Sequence, residues 1–256
     1  KEIVVVNSKG LSVTTDQQVK FRRPAHMRSL PTPDCYADRN NLMEQIDPLW
    51  DFVNVIDKND RLLILAIMLE CLRPNKANII LVLEGRQGSA KSVSQKMIIS
   101  LIDRSSMMIR TQPNSEQDLQ VAAANSWILG FNNLTKLSLR EQEILCSIST
   151  GGGYATRQLY TNTGETMVDI RRPVIMNGLS SPITAEDLHD RCITITLPNI
   201  STKDRLREEV LEQKFNDAAP QLFTAILFLL SDTLRELQNL NFKGAPRMAD
   251  FSYLGV

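Results

Sequence analysis

The segment Gly85-Arg86-Gln87-Gly88-Ser89-Ala90-Lys91-Ser92 holds the residues best suited to chemistry in this 256-residue chain. It departs at one position from the phosphate-binding pattern G-x4-G-K-[ST], with Ala90 where the last glycine would stand. Successive backbone N–H groups in such a loop form a concave donor surface for anionic oxygens. The positive end of a following helix adds to that field. In this reading Gly85 and Gly88 supply permissive backbone, and Gln87, Ser89 and Ala90 complete the cradle. Lys91 reaches the outer phosphates of a nucleoside triphosphate, and the Ser92 hydroxyl ligates Mg²⁺. A methyl group at Ala90 is tolerated provided that φ stays negative there. The rival reading is a surface turn that happens to contain Lys-Ser.

Two further positions bear on hydrolysis. P-loop enzymes carry a second apolar strand that ends in an acidic residue of the Mg²⁺ shell. The candidate strand, Trp127 to Phe131, ends instead in Asn132-Asn133. An asparagine can hydrogen-bond a metal-bound water, but it carries no charge and cannot act as a base. Glu141 and Glu143 in the next helix either replace the missing acid or form a solvated helix face. Asn177 ends a third strand, Pro173 to Asn177. It is either a contact for the γ-phosphate and attacking water at the ligand-binding edge of a sheet or a turn-former before Gly178.

The elements that must position these residues are legible. Ile79 to Leu83 is an apolar run that reads as a buried strand entering the loop, and Val93 to Ile102 reads as the helix leaving it. Helices are expected over Asn41–Val55, Asp60–Cys71, Glu116–Ala124, Ser138–Ser149 and, briefly, Ala185–Leu188. Short strands are expected at Ser106–Arg110, Val174–Met176 and Cys192–Leu197. Alternating strands and helices predict an α/β fold with a central parallel sheet flanked by helices. Before this core, Glu2–Val6 and Leu11–Thr15 read as a β-hairpin. Lys20, Phe21, Arg22, Arg23 and Arg28 form a basic cluster that is either a contact patch or a solvated strand face. After the core, Lys203 to Leu240 reads as helical, apolar beyond Pro220. The expected organisation is an extended N-terminal segment (1–34), a helical segment (35–76), a P-loop core (77–200) and a C-terminal helical region (201–256).

Composition narrows the classes. The formal net charge is zero, so nucleic-acid contact must come from local patches. Four dispersed cysteines, without a C-x-x-C pair, suit a reducing compartment and argue against a zinc ribbon or disulfide framework. No apolar run approaches the ~20 residues that span a bilayer, and no signal peptide is evident, so a cytoplasmic location is expected. The start at Lys1 suggests a piece of a longer protein.

Taken in order, Gly-x4-Ala-Lys-Ser, Ile-Leu-Gly-Phe-Asn-Asn-Leu, Ser-Thr-Gly-Gly-Gly-Tyr-Ala-Thr-Arg-Gln-Leu-Tyr, Arg-Pro-Val-Ile-Met-Asn-Gly and Asp-Leu-His-Asp-Arg resemble the AAA+ core of superfamily 3 helicases. The likeness is to the ATP-binding and primase-helicase proteins of phages and integrated mobile elements, and it covers Ile79 to Pro198. It implies a Walker A loop at Gly85 to Ser92 and the end of Walker B at Asn132-Asn133, where related proteins carry an acidic residue. It implies sensor 1 at Asn177 and an arginine finger at Arg191 that serves the neighbouring subunit's ATP. Arg191 otherwise reads as a helix cap or a partner of Asp187 or Asp190. The segment Thr150 to Tyr160 would lead into a pore-facing hairpin, bringing Arg157, Tyr160, Thr161, Asn162 and Thr163 to DNA. Its plain rival is a structural turn.

The resemblance therefore implies a ring-forming, ATP- and Mg²⁺-dependent DNA helicase or translocase, hexameric, with a primase or origin-binding domain upstream. Asn132 leaves open a second class: an ATP-binding assembly or DNA-binding module with little turnover. A regulatory protein that remodels a protein partner is a third.

Overall fold

The computed structural model describes residues 2–16, 24–113, 115–157, 165–240, 248–252 and 254. Lys20, Phe21, Arg22 and Arg23, together with Tyr160, Thr161, Asn162 and Thr163, lie outside them.

The chain opens with the expected hairpin, β1 (Ile3–Asn7) and β2 (Gly10–Thr14), antiparallel with Ile3 opposite Thr14. The predicted helix over Asn41–Val55 is two pieces: α1 (Leu42–Ile46) and a 3₁₀ turn (Asp47–Asp51). Pro48 is the reason, since it has no N–H to continue the α-helical ladder. Helix α2 (Lys58–Cys71) starts where the Asp57 carboxylate accepts from the N–H groups of Asn59 and Asp60.

The central sheet has four parallel strands in the order β4 (Leu129–Phe131), β7 (Val174–Gly178), β3 (Ile80–Glu84), β8 (Cys192–Thr196). Ile80 stands opposite Val174 on one side and Cys192 on the other. Strands β3 and β7 are buried on both faces, as their unbroken apolar runs require. The expected strand Ser106–Arg110 shrinks to a single parallel bridge between Arg110 and Phe131 at the β4 edge. Strand β4 is also shorter than expected, because the N–H groups of Trp127 and Ile128 both go to Asp103 Oδ2 at 2.9 Å.

Helix α3 (Lys91–Ser100) packs on one face of the sheet, and α4 (Glu116–Asn125), α5 (Leu139–Thr150) and α6 (Glu186–His189) cover the other. Between α5 and β7, β5 (Gly152–Arg157) and β6 (Glu165–Ile170) form an antiparallel hairpin. After β8 the chain runs to α7 (Glu208–Glu236), which continues through Pro220, and then to α8 (Ala249–Ser252). Residues of α1, α2, α3, α7 and α8 share one hydrophobic core against the α3 face of the sheet. Among the described residues no helix is long and apolar enough to cross a membrane, and the four cysteines are free thiols.

Candidate nucleotide-binding site

The carboxyl ends of β3, β4 and β7 lie side by side, which brings the P-loop, Asn132-Asn133 and Asn177 to one edge of the sheet. The loop turns with positive φ at Gly85 (150°) and Gly88 (86°). Gly85 is required by space as well as by angle. A Cβ there would lie 2.7 Å from both Leu197 O and Ser89 Oγ.

Ala90 overturns the expectation of a negative φ. It adopts φ 58°, ψ 26° in the left-handed region, immediately before α3 begins. The left-handed turn is what lets the loop close while Ala90 O still accepts from Ser94 N at 2.8 Å, the first bond of the helix. The methyl group is carried at the cost of backbone strain rather than avoided.

Lys91 is 8% exposed. Its Nζ donates to Gly85 O at 2.7 Å and Arg86 O at 3.0 Å, so the ammonium sits under the loop it would share with phosphates. Burial holds its pKa below the usual lysine value. Ser92 Oγ donates to Asn132 Oδ1 at 2.6 Å. Asn132 is itself fixed by its N–H, which donates to Arg110 O at 2.8 Å, the rung that the vestigial edge strand supplies. Asn132 thus occupies the place from which a carboxylate would support Ser92.

Asn177 is fully buried. Its Oδ1 accepts from Asn133 N at 3.0 Å, and its Nδ2 donates to Gln95 Oε1. Gln95 Nε2 in turn donates to Ile175 O at 2.7 Å and Phe131 O at 3.2 Å. Gln95 was not singled out from sequence. It lies one helical turn after Lys91, so α3 periodicity aims it at the same sheet edge. A second unanticipated residue is Asn54, whose Nδ2 donates to Pro198 O at 2.7 Å and Ser89 O at 3.0 Å. It ties the P-loop to the chain leaving β8, a contact too distant in sequence for spacing to reveal.

The two candidate replacement acids are engaged elsewhere. Glu141 closes a capping box, its carboxylate accepting from Ser138 N and Oγ, both at 2.7 Å. Glu143 pairs with Arg140 at 3.2 Å.

Beside the loop lies a cavity of about 470 Å³ lined by Gln87, Gly88, Ala90, Lys91, Ser92, Val93, Asn133 and Leu179. None of these residues is acidic. A polyphosphate fits this lining: a cationic Lys91, a helix start and a hydroxyl face it, and no carboxylate opposes it. A Mg²⁺ ion fits only as the companion of those phosphates, with Ser92 and Asn132 as neutral oxygen donors. No cluster of three or more acidic, histidine or cysteine side chains exists among the described residues to hold a metal alone.

Arg191 does not join this site. It precedes β8, whose first residue pairs with Ile80 at the opposite end of the sheet. Five residues of strand separate it from the loop edge, about 16 Å at 3.3 Å per residue. Its guanidinium pairs with Asp187 at 3.3 Å, the partner that sequence offered as the alternative. Arg157 ends β5 opposite Glu165, at the outer end of the hairpin.

The fold and the loop define a mixed α/β protein with a helix-flanked parallel sheet and a glycine-containing loop, 85–92, at its carboxyl edge. The family model for the actinomycete integrative conjugative element replication protein matches residues 46–256, and the chain belongs to that family. It is therefore a replication protein of a mobile element. No curated protein matches the sequence. Among solved structures, the apo C-terminal region of NrS-1 superposes with a TM-score of 0.53 at 13% identity, covering 92% of this chain and 51% of that one. The chain thus spans about half the length of that relative. The JCV helicase, crystallised with a thiazolopyridine compound, is a weaker likeness, with a TM-score of 0.38 at 11% identity over 86% of this chain and 68% of that one.

Proposed function

We propose that this chain is the ATP-binding motor module of its replication protein, acting on DNA as a ring-forming helicase or translocase. The observation that carries the reading is the convergence of Lys91, Ser92, Asn132 and Asn177 at one sheet edge beside a cavity without acidic lining. Bound ATP would supply the triphosphate charge and its Mg²⁺ the Lewis acidity. The loop N–H groups and Lys91 would hold the phosphates, Ser92 would present its hydroxyl to the metal, and Asn177 fixes Asn133 and Gln95 beside them.

Arg191 supports a shared site. It is out of reach of its own loop, so its contact with a γ-phosphate would require a neighbouring copy and release from Asp187. The hairpin of β5 and β6 is the element offered to DNA, with Arg157 and the residues Tyr160, Thr161, Asn162 and Thr163 as its contacts. A hexamer is the expected ring.

ATPase rate with and without single-stranded DNA, measured alongside strand unwinding and particle mass, tests the reading. DNA-stimulated turnover in an oligomer is the expected result. A confirmed oligomer that binds no DNA at low salt contradicts it. Asn132 favours a second reading, in which the same site binds ATP to drive assembly and turns over slowly. Substantial affinity without phosphate release would select it.

A further inference from the structure

The chain leaving β8 wraps the P-loop more closely than a connector to α7 needs to. Leu197 N donates to Glu84 O at 2.8 Å, and Ile200 N donates to Gly88 O at 3.3 Å. Asn54 clamps Pro198 O and Ser89 O together. At the end of this strap stands Arg205, and its guanidinium lies directly over Gly88. A Cβ built on Gly88 would be 2.4 Å from Arg205 Nη2 and 3.2 Å from its Cζ. The φ of 86° is what calls for glycine at position 88, since the exposed, flexible arginine above it would shift aside at little cost.

The charge arrangement is unusual. Arg205 is solvent-exposed, and among the described residues it has no hydrogen-bond or ion-pair partner. Its neighbours Arg207, Glu208 and Glu209 begin α7, yet the acid Glu208 is directed to Lys96 of α3, at 3.7 Å. Gly88, over which Arg205 lies, lines the cavity that also holds Lys91, and no acid lines that cavity to balance the lysine. Asp204 adjoins Arg205 in sequence, and Glu84, the acid nearest the loop in sequence, lines a separate cavity of about 390 Å³ together with Gly85, Arg86 and Asn199. Lys91 and Arg205 are two cations brought to one glycine loop, and an anion with several oxygens stabilises such an arrangement. A guanidinium suits that task because its planar fork binds phosphate oxygens bidentately.

We propose that Arg205 is a phosphate-contacting residue of the nucleotide site, delivered by the same chain from the strap between β8 and α7. It adds a second cation to Lys91, on the outer side of the loop. This inference rests on the reading of the P-loop as a polyphosphate site.

The test is a titration of the intact chain with Mg-ATP and, separately, with inorganic tripolyphosphate. It compares wild type, Arg205→Ala, Arg205→Lys, Lys91→Ala and Arg207→Ala. Arg207 carries the same charge two residues on and serves as the control for net charge. The expected result is that Arg205→Ala weakens both ligands about tenfold, or about 1.4 kcal/mol, and lowers the salt dependence of binding. Arg205→Lys recovers part of the loss, and Arg207→Ala stays within about twofold of wild type. Arg205 is exposed, so its removal leaves the thermal midpoint unchanged, which separates lost contact from lost structure. If Lys91→Ala abolishes binding while Arg205→Ala matches wild type, the inference about Arg205 is wrong and the P-loop reading stands. If wild type binds neither ligand, the P-loop reading itself fails and carries this one with it.

Discussion

Restoring a carboxylate at Asn132 is the sharpest perturbation that the site offers. Asn132 Oδ1 already accepts from Ser92 Oγ at 2.6 Å, and its backbone is fixed by Arg110 O at 2.8 Å. Asn132→Asp is isosteric, so it changes charge with little change in shape. The new carboxylate would attract the Mg²⁺ ion that Ser92 would hold, by on the order of 7 kcal/mol at an effective dielectric of about 20. Desolvation and reorganisation offset most of that gain. If one fifth survives in the transition state, turnover rises about tenfold, at about 1.4 kcal/mol per decade. The assay is phosphate release at saturating Mg-ATP, with ATP affinity measured in parallel. The account predicts slow release by wild type and at least a tenfold increase in Asn132→Asp. Equal rates in the two proteins, with brisk turnover in wild type, would show that the site does not depend on charge at this position.

Three other outcomes follow from local geometry. Ala90→Gly relieves left-handed strain worth about 1–2 kcal/mol and gives back about 0.5–1 kcal/mol in unfolded-chain entropy, so urea unfolding should show a net gain of about 0.5–1 kcal/mol; a loss would contradict the positive φ at Ala90. Asn177→Ala strands the buried Gln95 amide oxygen, at about 1–3 kcal/mol, and leaves the N–H of the exposed Asn133 to water, so the urea midpoint should fall with little change in slope; stability within about 0.5 kcal/mol of wild type would remove the network as a structural element. Burial pushes the Cys192 thiol up to about 12 and the Cys71 thiol higher still. At pH 8 only about one Cys192 in 10⁴ is thiolate, so both resist a disulfide reagent while folded. Labelling of Cys192 should climb about tenfold per pH unit toward 12, and rapid labelling at pH 8 would refute its burial.

The loop, its flanking strand and helix, and the three strands beside it were legible because each is a local apolar run bounded by polar turn residues. The order of the motifs along the chain fixed which strand ends would meet. The remainder depended on pairing partners that sequence does not display. Trp127 and Ile128 look like strand residues, but Asp103 takes their N–H groups. Pro48 divides one predicted helix in two. Ala90 misled because the pattern specifies a residue type and not a φ angle. Gln95, Asn54 and Arg205 escaped notice because a long-range contact gives a residue no local signature. Arg191 shows the converse: the family resemblance implied a role, and the register of β8 placed it at the far end of its own sheet.

The central claim is that the Gly85 to Ser92 loop binds a nucleoside triphosphate. Equilibrium dialysis of the full chain against labelled ATP with Mg²⁺ addresses it without requiring turnover, DNA or a ring. The account predicts saturable binding of one ATP per chain, lost in Lys91→Ala at unchanged fold. Absence of saturable binding by wild type, or equal binding by Lys91→Ala, would contradict it.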